Sequence, residues 1–292
     1  MRITRVAAVA AVAALALGLT ACGGDDGGEG TGAGSKSFTA GTTMEKLNKA
    51  QKIKVGTKFD QPGFGLKGLS GKPEGFDVEI AKIIVKELGI PEDKIEWVEA
   101  PSKVREDVIV NGTVDLVAAT YTINDKRKER IAFAGPYYEA GQNIMVKKDD
   151  TTITGPDSFK DGTKKVCSAT GSTPLEEIKK YVKDVATQVV PFDTYDKCRD
   201  ALKGGQVDAV TTDNVILLGY IAKDEASFKL AGSNFTKEPY GIGVKKEDAD
   251  FRSFINDTLD KAVADGSWKK AWDDTAGKFG AELGSAPTIN RY

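Results

Sequence analysis

The chain has 292 residues, with 41 lysines and arginines against 43 aspartates and glutamates, and a formal net charge of −2. This near balance, without a basic stripe, argues against a nucleic-acid-binding protein. The chain contains no histidine, which excludes Ser-His-Asp and Cys-His nucleophile systems, His-ligated zinc and imidazole proton relays. No cofactor is predicted.

The N-terminal segment predicts export. Arg2 and Arg5 precede an apolar run, residues 6–19, that ends in a small-residue cleavage site, and this pattern is typical of a signal peptide over residues 1–21. The next residue, Cys22, completes a Leu-small-small-Cys pattern that resembles the lipobox of bacterial lipoproteins, in which the cysteine carries lipid. A plain signal peptide with an incidental cysteine is the alternative. Residues 22–37 are rich in glycine and acid, which predicts a flexible linker.

Strand and helix patterns alternate through the rest of the chain. In chain order they predict a strand at 53–56, a helix at 77–88, a strand at 95–98, a helix at 103–110, a strand at 115–119, a helix at 125–130, strands at 144–146 and 165–168, a helix at 174–183, a strand at 188–190, a helix at 195–203, strands at 208–211, 228–230 and 242–244, and helices at 249–264 and 267–275. This alternation indicates an α/β protein with mostly parallel sheets.

A faint internal repeat accompanies this pattern. Residues 111–122 and 204–214 each combine a helix end, a Val-Asp strand and a threonine-rich loop. Two α/β lobes of similar plan would explain the repeat, and chance similarity of two common strand motifs is the alternative.

Two cysteines remain if Cys22 carries lipid. In an oxidising compartment a disulfide between Cys167 and Cys198 would persist, so we expect a bridge. A free buried pair is the alternative, because the sequence does not give the distance between the two Cα atoms. Two thiols without histidine form an incomplete ligand set, so no metal site is predicted.

Several longer motifs occur in a consistent order and spacing across residues 44–280. They are IKVGTKFDQPGFG, GFDVEIAKIIVKELG, REDVIVNGTVDLVAATYTINDKRKERIAFAGPYYEAG, VDAVTTDNVILLGY, YGIGVKKED and ADGSWKKAWD. With these motifs the chain closely resembles the extracellular solute-binding proteins of family 3, the polar amino acid receptors of ABC importers. The segments CSATGSTPLEEI and FDTYDKCRDAL resemble its glutamate-binding lipoprotein branch, in which both cysteines occur at these places.

The resemblance implies a two-lobed, type II periplasmic-binding-protein-like fold, with the ligand in the cleft between the lobes and two crossing hinge strands. Residues 38–137 and 240–280 would form lobe 1, and residues 141–236 would form lobe 2. The hinges would lie at residues 137–141 and 236–240. The polar C-terminal tail, residues 281–292, is expected to be disordered.

The resemblance also implies how an amino acid head group would be held. Arg127 would fork onto the α-carboxylate, and Thr120 and Thr122 would add hydroxyl and backbone contacts. Asp213 would bind the α-ammonium. Ser172 and Thr173 open a predicted helix, whose free N–H groups favour an anion. The local alternatives are an exposed arginine and simple helix caps.

The residues expected to face the ligand side chain predict which amino acid the pocket selects. Lys58 stands where glutamine-selective relatives place an acid, and Arg105 and Ser102 stand where receptors for acidic amino acids place an arginine and a serine. Two cations at one end of a pocket would demand a carboxylate ligand. Taken alone, each cation could be a solvated surface charge.

These inferences predict a monomeric, extracytoplasmic receptor that is lipid-anchored to the cell membrane. It would capture glutamate, or aspartate as second choice, close around it, and present it to an ABC permease with its ATPase. It is not expected to be an enzyme. The alternatives are an amino-acid-sensing module for a signalling partner, and a dehydratase or lyase on the same fold with Asp60 or Asp213 as acid or base.

Overall fold

The computed structural model describes residues 36–292. The predicted signal peptide, Cys22 and most of the predicted linker lie outside these described residues. Among residues 36–292, no helix combines the length and the apolar character needed to cross a membrane.

The strands lie at β1 (Ile53–Thr57), β2 (Asp60–Gln61), β3 (Gly65–Lys67), β4 (Pro73–Glu74), β5 (Ile95–Glu99), β6 (Leu116–Val117), β7 (Ile131–Ala140), β8 (Gln142–Lys147), β9 (Val166–Ala169), β10 (Val189–Phe192), β11 (Ala209–Asp213), β12 (Phe228–Leu230) and β13 (Glu238–Lys245). The α-helices lie at α1 (Thr43–Ala50), α2 (Phe76–Glu87), α3 (Arg105–Val110), α4 (Asp125–Lys128), α5 (Thr173–Ile178), α6 (Val185–Gln188), α7 (Tyr195–Lys203), α8 (Asn214–Lys223), α9 (Ala249–Ala264) and α10 (Ser267–Asp274).

Two five-stranded sheets define two lobes. The sheet of the first lobe has the order β5-β1-β6-β13-β7, and it packs with α2, α9 and α10. The sheet of the second lobe has the order β10-β9-β11-β8-β12, and it packs with α5, α7 and α8. A small antiparallel sheet, β2-β3-β4, adjoins α2.

The prediction of mostly parallel sheets is wrong. In the first lobe β1 runs parallel to β5 and β6, but β13 runs antiparallel to β6 and β7. In the second lobe β9 runs parallel to β10 and β11, but β8 runs antiparallel to β11 and β12. Strands joined by helical crossovers are parallel. The reversed strand of each sheet belongs to a connection between the lobes, since β13 returns the chain to the first sheet and β8 brings it into the second.

The two connections between the lobes pair with each other. Strand β7 leads directly into β8, and β13 returns to the first sheet alongside β7, with Ala140 opposite Glu238 and Tyr138 opposite Tyr240. Strand β7 is not among the elements that the sequence pattern predicts. The Gly135-Pro136 pair in its middle is a signal for a turn, and the sheet overrides this local signal.

The core of the first lobe begins on one face of α2, where apolar residues recur at helical spacing. Val78, Ala81, Ile84, Val85 and Leu88 are all fully buried, as their spacing predicts. Large aromatic side chains pack beside this face at ring-centroid separations of 4.8–6.2 Å, and they are Phe64, Phe76, Tyr137, Tyr138, Tyr240 and Trp272. Both crossing strands, β7 and β13, therefore contribute side chains to the core of the first lobe.

A disulfide joins the two cysteines of the second lobe. Cys167 in β9 and Cys198 in α7 are bonded, with their Cα atoms 5.5 Å apart, and both are fully buried. The neighbouring helix α5 ends at Ile178 rather than at the predicted residue 183.

The expectation of a disordered tail is wrong. The tail packs along the edge strand β7, where Asn290 N–H donates to the Gly135 carbonyl and the Tyr292 hydroxyl accepts from Phe133 N–H, both at 2.8 Å. Arg291 pairs with Asp257 and Asp260 of α9 at 2.7 and 2.6 Å. The tail thus satisfies backbone groups that an edge strand otherwise presents to solvent.

Candidate functional site

The two lobes touch where their strand ends meet. The Arg127 Nη2 donates to the Gly171 carbonyl at 3.2 Å, and the hydroxyl oxygens of Thr122 and Thr173 are 3.3 Å apart. A Cβ atom added to Gly171, whose φ is +78°, would lie 2.6 Å from Lys103 Cα. The lobes are therefore closed against each other, and this close approach requires glycine at position 171.

Lys58 lies at the end of β1 and is buried, with 2% of its surface exposed. Its ammonium donates to the Ser102 hydroxyl at 2.7 Å, and this bond uses one of its three N–H donors. Burial, reinforced by the nearby Arg105 charge, lowers the pKa of Lys58 to about 7. A cation in this position is stabilised by an anion, which would restore its ordinary pKa.

Arg105 begins α3 and is equally buried. Its Nη1 donates to the Ala119 and Thr120 carbonyls at 2.8 and 3.2 Å, and its guanidinium carbon lies 4.2 Å from the centre of the Tyr121 ring. Its Nη2 donates no hydrogen bond to any group among residues 36–292. The ring fixes the guanidinium plane, which leaves this nitrogen as a free donor.

Arg127 contacts the same ring, with its guanidinium carbon 5.0 Å from the ring centre. Its Nε donates to Glu106 at 3.1 Å and its Nη1 to the Thr122 carbonyl at 2.6 Å, in addition to the contact with Gly171. Each terminal nitrogen retains one further N–H, which is the pair that a carboxylate requires for a forked interaction. Burial, and then the Arg105 charge, lowers the pKa of Arg127 to about 10.

Thr120 has a backbone conformation unusual for a β-branched residue, with φ at +43°. The Asp77 carboxylate accepts from Thr120 N–H at 2.7 Å and from the Tyr137 hydroxyl at 2.5 Å. The Thr120 hydroxyl donates to Gln61 at 3.0 Å. Asp77 thus holds the strained loop that supplies carbonyl acceptors to both arginines, and burial raises its pKa to about 7.

Asp213 ends β11 in the second lobe and precedes α8, but it makes no side-chain cap bond to this helix. Its Oδ2 accepts from the Tyr240 hydroxyl at 2.5 Å, and its Oδ1 is buried with no hydrogen-bond partner in the described part of the chain. Burial, and then the Glu238 charge, raises the pKa of Asp213 to about 8. A cation beside Oδ1 would satisfy this oxygen and favour the ionised carboxylate.

Ser172 and Thr173 also occupy the second lobe, where their local roles are clear. The Ser172 hydroxyl accepts from Leu175 N–H at 3.1 Å and so caps α5. The Thr173 hydroxyl donates to Glu238 at 2.8 Å. A cavity of about 670 Å³ opens beside them, and its lining includes Thr122, Arg127 and Glu238.

The structure brings the predicted site residues into one region between the lobes. Thr173 is half-buried, and the others are at least 93% buried, namely Lys58, Ser102, Arg105, Thr120, Thr122, Arg127, Ser172 and Asp213. The surface-charge alternative is therefore wrong for all three cations. Their binding roles stay predictions.

Sequence reasoning missed several residues that shape this region. They are Gln61, Asp77, Glu106, Tyr121 and Glu238. One signal was present, because Asp77 is an acid next to Phe76 and Val78 in the predicted helix, and it is buried there. The others lie in segments whose local pattern does not distinguish a buried polar group from a surface one.

Comparison with known proteins agrees with this geometry. The family model described as bacterial extracellular solute-binding proteins, family 3, matches residues 53–274. The glutamate-binding protein GluB of Corynebacterium efficiens is 39% identical over 285 residues, 94% of this chain and 92% of that protein. A glutamine-binding protein of Geobacillus stearothermophilus is 41% identical over 229 residues, 78% of this chain and 86% of that protein.

Solved structures give the same result. An ancestral arginine-binding protein bound to glutamine is 36% identical, with a TM-score of 0.71 over 77% of this chain and 97% of that one. The predicted two-lobed, type II fold is confirmed by this match and by the two sheets. The chain belongs to the bacterial extracellular solute-binding proteins of family 3.

Proposed function

We propose that this receptor binds an acidic amino acid between its lobes, glutamate in preference to aspartate, and delivers it to an ABC importer. The observation that carries the proposal is the pair of buried cations Lys58 and Arg105. Each is 2% exposed and each retains N–H donors that no described protein group uses. A ligand side-chain carboxylate is the acceptor that matches them in charge.

The electrostatic free energies favour binding of glutamate over binding of glutamine. At an effective dielectric constant of about 20, each cation about 4 Å from a carboxylate contributes about 4 kcal/mol of gross Coulomb energy before desolvation is subtracted. A neutral amide leaves the buried cations unpaired, at a cost of roughly 2–5 kcal/mol. Aspartate is the second choice because its side chain is one methylene shorter and reaches the same cations less directly.

The α-carboxylate and α-ammonium of the ligand are assigned to the other buried charged residues, Arg127 and Asp213. Arg127 receives the α-carboxylate on its two free N–H groups, and Thr120 and Thr122 add polar contacts. Asp213 receives the α-ammonium on Oδ1, the oxygen without a described partner. The α-carboxylate is therefore bound by the first lobe and the α-ammonium by the second. The ligand favours closure because it contacts both lobes only in the closed form.

The comparisons support this proposal and identify the main competitor. One relative is named for glutamate and another for glutamine, and the structural match contains glutamine. Calorimetric titration of the purified protein with each common amino acid tests the assignment. We expect the tightest binding for L-glutamate, and the absence of binding by every amino acid would contradict the receptor function.

We propose further that Cys22 carries lipid and holds the receptor at the outer face of the cell membrane, where a permease and its ATPase take up the ligand. The motif around Cys22 supports this anchor. Substitution Cys22→Ala is expected to release the protein from the membrane fraction or leave it unprocessed. Membrane retention equal to wild type would exclude lipid at this residue.

We also propose that binding involves no covalent chemistry. The acids suggested as acid or base have other partners, since Asp60 accepts from Tyr195 N–H at 2.9 Å and Asp213 accepts from the Tyr240 hydroxyl. Proton NMR of the protein with excess L-glutamate is expected to show an unchanged ligand over hours. Accumulation of any product would favour an enzyme.

A further inference from the structure

A second contact between the lobes lies beside the candidate site. The segment Asp60 to Pro62 of the first lobe rests on α7 and α8 of the second lobe. The Tyr220 hydroxyl donates to the Asp60 carbonyl at 2.7 Å, and the Asp60 carboxylate accepts from Tyr195 N–H. A Cβ atom added to Gly219 would lie 2.4 Å from the Pro62 carbonyl oxygen.

The bond to Tyr195 acts as a helix cap supplied by the other lobe. Tyr195 is the first residue of α7. The N-cap residue Thr194 makes no capping bond, and its hydroxyl donates to Asp196. Helices α5 and α6 of the same lobe are capped by their own residues, Ser172 and Asp184. A carboxylate at the start of a helix satisfies a free N–H group and interacts favourably with the helix dipole.

This cap lies between two parts of the candidate site, and the Asp60 charge is close enough to Lys58 to oppose the lowering of the Lys58 pKa. Asp60 follows Lys58 by two residues on the first lobe. On the second lobe the Tyr195 ring lies close enough to Asp213 for that charge, after burial, to raise the pKa of Tyr195. Asp60, Tyr195 and Tyr220 are at most 8% exposed, so their contacts form in a region from which water is largely excluded.

We infer that Asp60 is a positioning residue that slows ligand release by capping α7 across the cleft. Its two partners belong to the second lobe, so both bonds break when the lobes separate. The cap therefore stabilises the closed form alone, and it acts on whichever ligand the cleft holds. This inference rests on the proposed function for its probe, L-glutamate.

Stopped-flow fluorescence with L-glutamate, and with L-glutamine as a second probe, tests the inference on Asp60→Ala. We expect the dissociation rate to rise about 3- to 30-fold, the range that corresponds to loss of a helix cap. The association rate should stay within about twofold, since the encounter occurs with open lobes. The thermal unfolding midpoint of the ligand-free protein should not change.

The matched control is Asp184→Ala, which removes the cap of α6 within the second lobe, where Asp184 accepts from Ala186 N–H at 2.9 Å. It should lower the unfolding midpoint and leave the dissociation rate unchanged. An unchanged dissociation rate in Asp60→Ala, or a loss of ligand-free stability as large as in the control, would overturn the inference. Lack of wild-type binding to either probe would instead count against the proposed function.

A second variant tests the same contact without removing a charge. Gly219→Ala places a methyl group against Pro62 and should raise the dissociation rate at least as much as Asp60→Ala. Alanine is favoured over glycine inside a helix, so ligand-free stability should be preserved or increased. Wild-type dissociation from Gly219→Ala would show that this interface does not control release.

Discussion

Lys58 and Arg105 are cations whose hydrogen-bonding capacity the protein uses only in part. Replacing either one removes a proposed partner of the ligand side chain and keeps Arg127 and Asp213, the charged partners of the head group. We therefore expect Lys58→Gln and Arg105→Ala each to weaken glutamate binding by roughly 2–5 kcal/mol and to change glutamine binding far less. Calorimetric titration with both amino acids measures the change in preference.

Lys54→Gln is the matched control for this prediction. Lys54 lies on β1, the strand that Lys58 directly follows, with its side chain 45% exposed and its ammonium 3.9 Å from Glu96. Exposed pairs of this kind contribute about 0–1 kcal/mol, so the control should retain the wild-type preference. If Lys58→Gln and Arg105→Ala also retained it, the assignment of the side-chain end would be wrong.

The pKa of Lys58 predicts a pH dependence that separates glutamate from glutamine. With the lobes closed this pKa is about 7, below the ordinary 10.5 that hydration in an open cleft allows. Closing around a neutral side chain then releases a proton, so glutamine binding strengthens as pH rises from about 7 towards 10. A ligand carboxylate holds the proton on Lys58, so glutamate gains nothing from this change.

The ratio of the dissociation constant for glutamine to that for glutamate should therefore fall with rising pH, by up to about tenfold per pH unit. The shared α-ammonium and Asp213 affect both ligands and cancel in the ratio. Titrations between pH 6.5 and 9.5 measure it, and Lys58→Gln should make it independent of pH. A ratio that rises with pH in the wild type would show that Lys58 does not face the ligand side chain.

The cations could be identified from the sequence, but their surroundings could not. Lys58 and Arg105 occur within motifs whose order and spacing are specific. Asp77 positions the strained Thr120 loop from a segment 43 residues away, and the Tyr121 ring orients both guanidinium planes through tertiary contacts. No local periodicity distinguishes such residues from ordinary core or surface positions.

At the scale of elements, the helices with strong local signals were predicted accurately. The bounds of α7 and α9 agree with the sequence because each combines an apolar face with a clear start and end. The short hairpin β2-β3 and the strand β7 were not predicted. Strands of two or three residues carry no periodicity, and tertiary pairing with β13 overrides the turn signal within β7.

The tail is an element whose order depends on tertiary contacts. The Tyr292 hydroxyl accepts from Phe133 N–H, and its ring lies 4.5 Å from Lys128 Nζ. Tyr292→Phe removes the acceptor and keeps the ring, so we expect the free energy of unfolding to fall by about 1 kcal/mol. Urea denaturation followed by circular dichroism measures the loss.

Tyr181→Phe provides the matched control for Tyr292→Phe. Tyr181 is half-buried against Phe235, and its hydroxyl has no hydrogen-bond partner among the described residues. This control should leave the free energy of unfolding within about 0.5 kcal/mol of wild type. Equal stability of Tyr292→Phe and wild type would mean that the tail does not protect the edge of β7.

At the scale of the whole molecule, charge is divided between the lobes. The three cations lie on the first lobe, and the carboxylate with an unpartnered buried oxygen, Asp213, lies on the second. The family motifs predict the three cations and Asp213 from the sequence. The distance between the cations and Asp213 depends on how far the lobes have closed. The pairing of β7 with β13 allows closure without breaking either sheet, because within residues 36–292 the lobes are joined only through these crossing strands and the contacts between their faces.

This division predicts how closure depends on the ammonium partner. Asp213→Asn removes the second lobe's charge while glutamate keeps its carboxylate partners on the first lobe, so the closed form loses roughly 2–5 kcal/mol. Small-angle X-ray scattering should show that wild-type protein contracts with L-glutamate, whereas the variant keeps its ligand-free radius until the concentration is about 30-fold higher or more. Asp200→Asn, an exposed change on α7, should contract like wild type. If Asp213→Asn contracted fully at the L-glutamate concentration that contracts the wild type, Asp213 would not be the partner of the ligand α-ammonium.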